Sequence, residues 1–354
     1  MDYTPITIHG RGSPVDPKNR FERAEFVVDE DVHVDPSERP APTTVLLRDH
    51  SKSIIATNDS PDVSFDASIN VYRGCEHGCV YCFARPTHEY LGMSAGLDFE
   101  SKIVVKFDAP QLLRKELCSP RWKPQRLAMS GVTDCYQPIE RKLELTRKCL
   151  EVFLDLRSPV TIITKNHLVT RDIDLLSEMA KFDCIKVCIS ITTLDPTLTM
   201  KMEPRTSVPA RRLAAIEKLT AAGVPVTVLN APIIPGLNDH EMADVLTAAR
   251  NAGATNAGHV LLRLPWAVKD LFEDWLERHF PDRKDKILNR VRELRGGKLY
   301  DAKFGERMKG QGIWAEQFSQ MFEMAKRKAG FVEEKKTLSL EHFRQRDGKQ
   351  LTLF

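Results

Sequence analysis

The 354-residue chain contains no run of about 18 or more apolar residues, and so offers no ordinary membrane-spanning helix. Met1 to Arg11 is polar and carries no apolar segment of the kind that directs export, so a cytoplasmic location is expected. Neither sign of charge dominates. The 52 Lys and Arg against 49 Asp and Glu leave a formal net charge of +3, too little for attraction of the whole molecule to nucleic acid. No repeat of solenoid period is visible. What remains is an ordinary globular composition, 42% hydrophobic and 29% charged, long enough for one large domain with extensions or two ordinary ones.

The eight cysteines are Cys75, Cys79, Cys82, Cys118, Cys135, Cys149, Cys184 and Cys188. A disulfide framework suits short exported chains, and this chain is long and without an export signal. The last five lie scattered among apolar residues and read as small buried hydrophobes. The first three crowd into one short segment and read as metal ligands or catalytic thiols.

Residues 1–65 are rich in Pro, Asp, Ser and charge and read as an extended or partly disordered arm, with a small docking element expected at Phe21–Val28. From residue 66 to 265, short β-rich runs alternate with helical stretches. The runs are Ser68–Arg73, Arg126–Val132, Val160–Lys165, Ile185–Thr192, Val224–Leu229 and His259–Leu264. Leu143, Leu150, Phe153 and Leu154 share one helical face. Ser207 and Pro209 open a helix that Gly223 stops. Asn238 and Glu241 are spaced as a capping box. Alternation of this kind implies parallel βα units with right-handed crossovers. Polar residues gather at the C-terminal ends of five or six runs, among them Ser130, Lys165, Ser190, Asn230 and Arg263. That ring of polar ends favours an α/β partial (β/α)6 barrel of the TIM-like type over an open sheet, where polar groups collect at a single switch point. Residues 266–340 read as a helical, basic extension, with ten Lys or Arg against four Asp or Glu between Arg283 and Lys309. Residues 341–354 read as a flexible tail.

The segment carrying chemistry is Asn70-Val-Tyr-Arg-Gly-Cys75-Glu-His-Gly-Cys79-Val-Tyr-Cys82-Phe-Ala-Arg-Pro. Three thiolates spaced C-x3-C-x2-C on a loop can converge on one inorganic object. Gly74 and Gly78 give that loop its freedom to turn back. Three readings compete. Structural zinc takes four protein ligands, with His77 or His88 as the fourth. An electron-transfer cluster takes four cysteines. A [4Fe–4S] cluster on three cysteines leaves one iron open, as a reactive cofactor requires.

The spacing, with Tyr81 just before the last cysteine, resembles the signature of the radical S-adenosylmethionine (SAM) superfamily. The resemblance extends over roughly residues 55 to 330 to a bacterial branch related to spore photoproduct lyase, known as "DNA repair photolyase"-like. It is carried by Asn58-Asp-Ser-Pro61, Tyr72–Leu91, Thr133-Asp-Cys-Tyr-Gln-Pro138, Thr164-Lys165, Ser190-Ile-Thr-Thr-Leu-Asp195, Glu203-Pro-Arg205 and Ala231-Pro-Ile-Ile-Pro-Gly-Leu-Asn-Asp239. It implies that Cys75, Cys79 and Cys82 bind a [4Fe–4S] cluster whose fourth iron chelates SAM. An electron from a reductant such as flavodoxin or ferredoxin then releases a 5′-deoxyadenosyl radical. The same resemblance implies a partial (β/α)6 barrel and a lyase-like activity in DNA repair.

On that reading Lys165 pairs with the methionyl carboxylate. Ser130, Ser190 and Thr192 hydrogen-bond the amino acid or ribose, Ser190 and Thr192 sharing a face by strand alternation. Ile233 and Gly236 pack on adenine, and Tyr81 shields the cluster or faces the adenine. Asp134, Tyr136, Glu203 and Arg205 are the candidates on the substrate side, with a Glu203–Arg205 ion pair as the blander alternative. One departure stands out: Ala128 falls where the lyase has a hydrogen-returning cysteine two positions before the second-strand serine. Cys135 is the substitute candidate.

The chain ends Gln350-Leu351-Thr-Leu353-Phe354, which resembles the peptide by which bacterial DNA-processing proteins bind the replicase sliding clamp. Two leucines and a terminal Phe on a polar stalk can fill a preformed apolar groove. With the basic stretch, this favours a nucleic-acid substrate. Two other functions stay open: a radical SAM enzyme acting on a peptide, protein or small metabolite, and a non-catalytic metal-binding module tethered to the clamp.

Overall fold

The computed structural model describes residues 10–13, 15–17, 19–21, 43–63, 65–332 and 337–345. Most of the Phe21–Val28 element and the whole of Gln350–Phe354 lie outside the described residues. In chain order the elements are β1 (Val45–Arg48), β2 (Ile55–Thr57), β3 (Ala67–Ile69), β4 (Tyr72–Arg73), α1 (Leu97–Ser101), β5 (Lys102–Val105), α2 (Ala109–Leu117) and β6 (Leu127–Met129). Then follow α3 (Glu140–Leu143), α4 (Leu145–Leu156), β7 (Val160–Thr164), α5 (Ile173–Ala180), β8 (Ile185–Ser190), α6 (Pro196–Met202), α7 (Pro209–Ala221), β9 (Val226–Ile233), α8 (Met242–Asn251) and β10 (Asn256–Leu261). Helices α9 (Ala267–His279), α10 (Lys284–Glu293) and α11 (Gly312–Lys328) are the last among the described residues.

The main sheet runs β10-β9-β8-β7-β6-β3-β2. All its pairs are parallel except β2–β3, which is antiparallel. The six parallel strands are therefore neighbours in the order in which they are synthesised, with no reversal and no switch point. That is the connectivity of a barrel wall. The buried faces explain why these runs are strands: Val160, Ile162, Ile185, Val187, Val226 and Val228 are β-branched and wholly buried under the helix layer.

Pro209 stands at the first turn of α7, and Gly223 ends it at φ +78°, the asymmetry that helix ends favour. Two local readings are corrected. The expected face Leu143–Leu154 is split between α3 and α4, because Glu144 adopts φ +52°. Asn238 and Glu241 do not form a capping box. The Asn238 amide instead donates to the carbonyls of Thr192 (2.8 Å) and Pro232 (3.1 Å), and the Glu241 carboxylate accepts from Thr193 Oγ1 and Leu194 N, both at 2.7 Å. Both residues tie the fourth and fifth strand ends together and leave the helix end to cap itself.

The segment before residue 65 supplies ordered strands. β1 pairs in parallel with β5, β5 pairs antiparallel with β4, and β2 lines the edge of the main sheet. Residues 299–310 leave α10 and run along the other edge. Leu261 N donates to Met308 O at 3.1 Å, while Gly305 N donates to Asp62 at 2.6 Å and Arg307 pairs with the same carboxylate. Asp62 sits between β2 and β3, so this loop touches both ends of the sheet.

Two large apolar cores result, beside a small one of Cys75, Ala84 and Phe99. The larger lies between the sheet and its helices. The second joins Cys79, Val80 and Tyr81 to Met202, Ile234 and Trp275. Helices α9 and α10 thus back the thiol loop, which gives the C-terminal extension a structural reason to exist.

Candidate functional site

The thiol loop follows β3 and β4 at the C-terminal end of the wall. Gly74 and Gly78 adopt φ +82° and +66°. A Cβ on Gly74 would come within 2.7 Å of the His88 ring, and one on Gly78 within 2.6 Å of the Glu100 carboxylate, so both positions need glycine. Cys75 and Cys79 are buried and Cys82 is half-buried, all as free thiols. Burial pushes all three thiols up; Asp134 adds to the rise at Cys75, while Lys165 pulls Cys79 and Cys82 down. Cys75 and Cys79 also sense the charge of the neighbouring thiols.

Beneath the loop Arg85 and Glu100 form an ion pair. Arg85 donates to the carbonyls of Cys79 (2.9 Å), Gly78 (3.2 Å), Ala95 (3.1 Å) and Gly96 (2.9 Å). Glu100 in turn accepts from the backbone of Gly12 and Ser13 at 2.9 and 3.0 Å. Neither residue stood out in the sequence.

The loop is zipped to the turn after β6. Thr133 Oγ1 donates to Gly74 O at 2.6 Å, and Glu76 N donates to Gln137 Oε1 at 2.8 Å. Asp134, a candidate on the substrate side, is spoken for. It accepts from Tyr136 N (2.9 Å), Thr164 Oγ1 (2.7 Å) and Lys165 N (2.8 Å), and faces His77 Nδ1 at 3.3 Å. Burial would raise its pKa, but His77 and these donors outweigh that and hold it below the usual carboxylate range. His77 also meets the Asn166 amide at 3.1 Å. It is a brace between two loops. Among the described residues, no three His, Cys, Asp or Glu side chains stand close enough to hold a single metal ion.

Lys165 follows β7 directly, and its ammonium lies 5.9 Å from the Tyr81 ring centroid. Tyr81 donates to Glu203 and sits 3.4 Å from Thr192 Oγ1, which donates to the same carboxylate at 2.5 Å. Glu203 forms its ion pair with Arg212, on α7, in full burial. The Glu203–Arg205 pair considered from the sequence does not exist: Arg205 pairs with Glu76 at 3.3 Å. Arg212 was missed because its partner lies nine residues away and across a turn, a spacing with no local signature. Burial pushes the Glu203 carboxyl up, yet Arg212, then Lys165, then the Thr192 and Tyr81 hydroxyls bring it down to about 2. Thr192 lies beyond the end of β8, with its hydroxyl committed to Glu203.

Ser130 ends β6 with φ +82°, a conformation a serine adopts only when its surroundings hold it. Its Oγ accepts from Cys135 N at 2.9 Å. Ser190 closes β8, buried, its carbonyl accepting from Arg212 at 3.0 Å. Ile233 ends β9 in the core, and Gly236 follows at φ +82°. Cys135 and Tyr136 turn away from this group into the larger core. The Tyr136 hydroxyl donates to Asp172 at 3.1 Å. Ala128 is fully buried, paired with Ser68 and Thr161.

Three thiols on one loop, with Cys75 and Cys79 in electrostatic range of their neighbours, supply the donor set of a polynuclear iron core that takes one thiolate per iron. Comparison with known proteins agrees. The family model for the Radical SAM superfamily matches residues 69–249. An uncharacterized protein of Mycobacterium tuberculosis is 36% identical over 244 residues, 68% of this chain and 71% of that one. Another, of Methanocaldococcus jannaschii, is 30% identical over 223 residues, 63% of this chain and 80% of that one. Spore photoproduct lyase complexed with dinucleoside spore photoproduct superposes with a TM-score of 0.59 at 17% identity, covering 80% of this chain and 79% of that one. A mutant of that lyase with bound AdoMet and dinucleoside spore photoproduct superposes with a TM-score of 0.54 at 17% identity, covering 81% and 78%. The chain therefore belongs to the radical SAM superfamily, whose cofactors are a [4Fe–4S] cluster and S-adenosylmethionine.

Proposed function

We propose that the protein is a radical SAM enzyme acting on nucleic acid, with a lyase-like activity in DNA repair. The observation that carries the enzymatic part is the setting of Lys165. Its ammonium lies over the Tyr81 ring, and its charge reaches Cys79, Cys82 and Glu203. A carboxylate arriving beside the thiol loop meets a cation held on a rigid strand end. When bound, the cluster supplies the electron that splits SAM into methionine and a 5′-deoxyadenosyl radical.

The chain's own residues do the rest of the binding. Cys75, Cys79 and Cys82 hold the iron. Lys165 takes the methionyl carboxylate, and Ser130 and Ser190 serve the amino acid or ribose. The segment from Ile233 to Gly236 supplies an apolar wall for adenine. Tyr81, Thr192 and Glu203 fix the shape of this wall through their shared hydrogen bonds. Asp134 positions the loops and does not touch substrate in this reading. Nucleic acid is supported by the cations of residues 283–309 and by the fold shared with a lyase complexed with a dinucleoside. The tail Gln350–Phe354 is the proposed tether to a sliding clamp.

Anaerobic reconstitution with iron and sulfide, followed by chromatography of 5′-deoxyadenosine, tests the reading. The wild-type protein, reduced with dithionite, is expected to release it, and a Cys75→Ala/Cys79→Ala/Cys82→Ala variant is expected to release none. DNA that raises the yield supports the substrate class. A peptide that raises it, with DNA inert, would transfer the activity to peptides. Equal yields from the variant and the wild type would overturn the enzyme.

A further inference from the structure

The residue after Cys82 starts a line of exposed rings and guanidinium groups. Phe83 is 46% exposed. The Arg263 guanidinium lies 4.9 Å from its ring centroid. Arg263 Nε is buried with no hydrogen-bond partner, and burial lowers its pKa although Tyr300 and Asp62 oppose the shift. The Tyr300 hydroxyl lies beside Arg263, and the Tyr300 ring is 6.1 Å from that of Trp266. Trp266 is 52% exposed and held at φ +46°, a strain that a bulky residue bears only when the surroundings impose it. Arg20 covers Trp266 at 4.1 Å and reaches the 68%-exposed Tyr90 at 5.3 Å. Glu89 fixes Arg20 in place at 3.0 Å.

Each of these rings has a neighbour against it, Arg263 at Phe83, Arg20 at Trp266 and the Phe21 ring at Tyr90 (4.9 Å), and still leaves apolar surface in water that folding alone would bury. Rings alternating with arginines fit one kind of chain better than others. Unpaired bases offer flat π faces to the rings, and their phosphates offer charge to the guanidiniums. A paired duplex keeps its bases stacked inside and presents only phosphates to a flat surface, for which exposed rings have no use.

We infer that this belt binds a single-stranded stretch of nucleic acid, with bases stacking on Phe83, Trp266 and Tyr90 and phosphates meeting Arg263 and Arg20. The strand then runs to the edge of the thiol loop and presents one nucleotide beside Cys82. This rests on the nucleic-acid reading above and adds the strandedness and the route.

The test uses the full-length protein and fluorescence anisotropy. The probes are a labelled oligothymidylate of about 12 nucleotides, within the range a stacking surface covers, and a duplex of equal length. The single strand is expected to bind the more tightly. Trp266→Ala and Tyr90→Ala are expected to weaken it about ten-fold each, as loss of one stacked base does, and Trp266→Phe to restore most of the affinity. Trp314→Ala, on α11 and outside the belt, serves as the control and is expected to change nothing. If Trp266→Ala binds the single strand like wild type, or if only the duplex binds, the belt is wrong while the nucleic-acid reading stands. If neither form binds, both are wrong.

Discussion

The Arg85 guanidinium and the Glu100 carboxylate meet 2.5 Å apart beneath the thiol loop, and neither side chain has any exposure to solvent. Two charges taken out of water are held by each other and by the surrounding backbone. Removing one leaves the other uncompensated, at a cost of about 3–5 kcal/mol. Glu100→Gln and Arg85→Met should each lower the unfolding free energy measured in urea by that amount. Each should also reduce the iron retained after reconstitution, because Arg85→Met takes the donor from the carbonyls of Gly78 and Cys79 and Glu100→Gln leaves that donor without its counter-ion. A Glu100→Gln variant as stable as wild type and as rich in iron would show that the loop supports itself.

Lys165→Ala should weaken SAM binding by roughly ten-fold or more, the usual scale of a lost charge-assisted hydrogen bond. Lys165→Arg should recover part of it. Equilibrium dialysis with the reconstituted protein measures both. Unchanged affinity in the alanine variant would remove Lys165 from the carboxylate site.

Glu203 makes stability depend on acid in a defined direction. Its carboxyl lies near 4.5 when unfolded and is brought down to about 2 in the fold, where burial is outweighed by Arg212, Lys165, Thr192 and Tyr81. A carboxyl depressed on folding contributes its full stability above the unfolded pKa and loses it as pH falls through the folded one. Unfolding free energy should therefore drop between about pH 4.5 and pH 2. In Glu203→Gln that slope should flatten, from a lower starting stability. Parallel slopes in the two proteins would show that the carboxyl does not carry the effect.

His259 acts at milder acidity. It lies on β10 with its ring 4.2 Å from Phe322 and its Nε2 without a partner. Burial first, then Lys309 and Lys326, lower its pKa from 6.5 to about 4. Below pH 6.5 the unfolded chain takes a proton that the fold refuses, so stability falls as pH drops toward 4. His259→Leu should lose less in Tm than wild type on going from pH 7 to pH 5. An equal loss in both would place the sensitivity elsewhere.

Much of this architecture was legible from residues alone. β7 follows from an uninterrupted β-branched run, β8 from Ile185, Val187 and Ile189 on alternate positions, and the thiol segment from its spacing. The rest was hidden for a common reason. Glu241 looked like a capping residue because it stands three after Asn238, but Thr193 and Leu194 claim its carboxylate from across the wall. Arg85, Glu100 and Arg212 gave no signal, since a buried ion pair between distant segments leaves no period in the chain. Cys135 and Tyr136 sit among polar residues in sequence, yet the turn after Ser130 rotates them into the core. Position along a strand can be read from hydrophobic rhythm, whereas the direction of a side chain after the strand ends is decided by whatever it meets.

The loop from 299 to 310 clasps Leu261 at one margin of the wall and Asp62 at the other. It works as a buckle on an otherwise unfinished hoop, and it holds by contacts that involve no strand pairing between the two margins. The parallel ladders between the staves do not depend on that buckle, so the closing of the hoop and the pairing of its staves rest on separate sets of bonds.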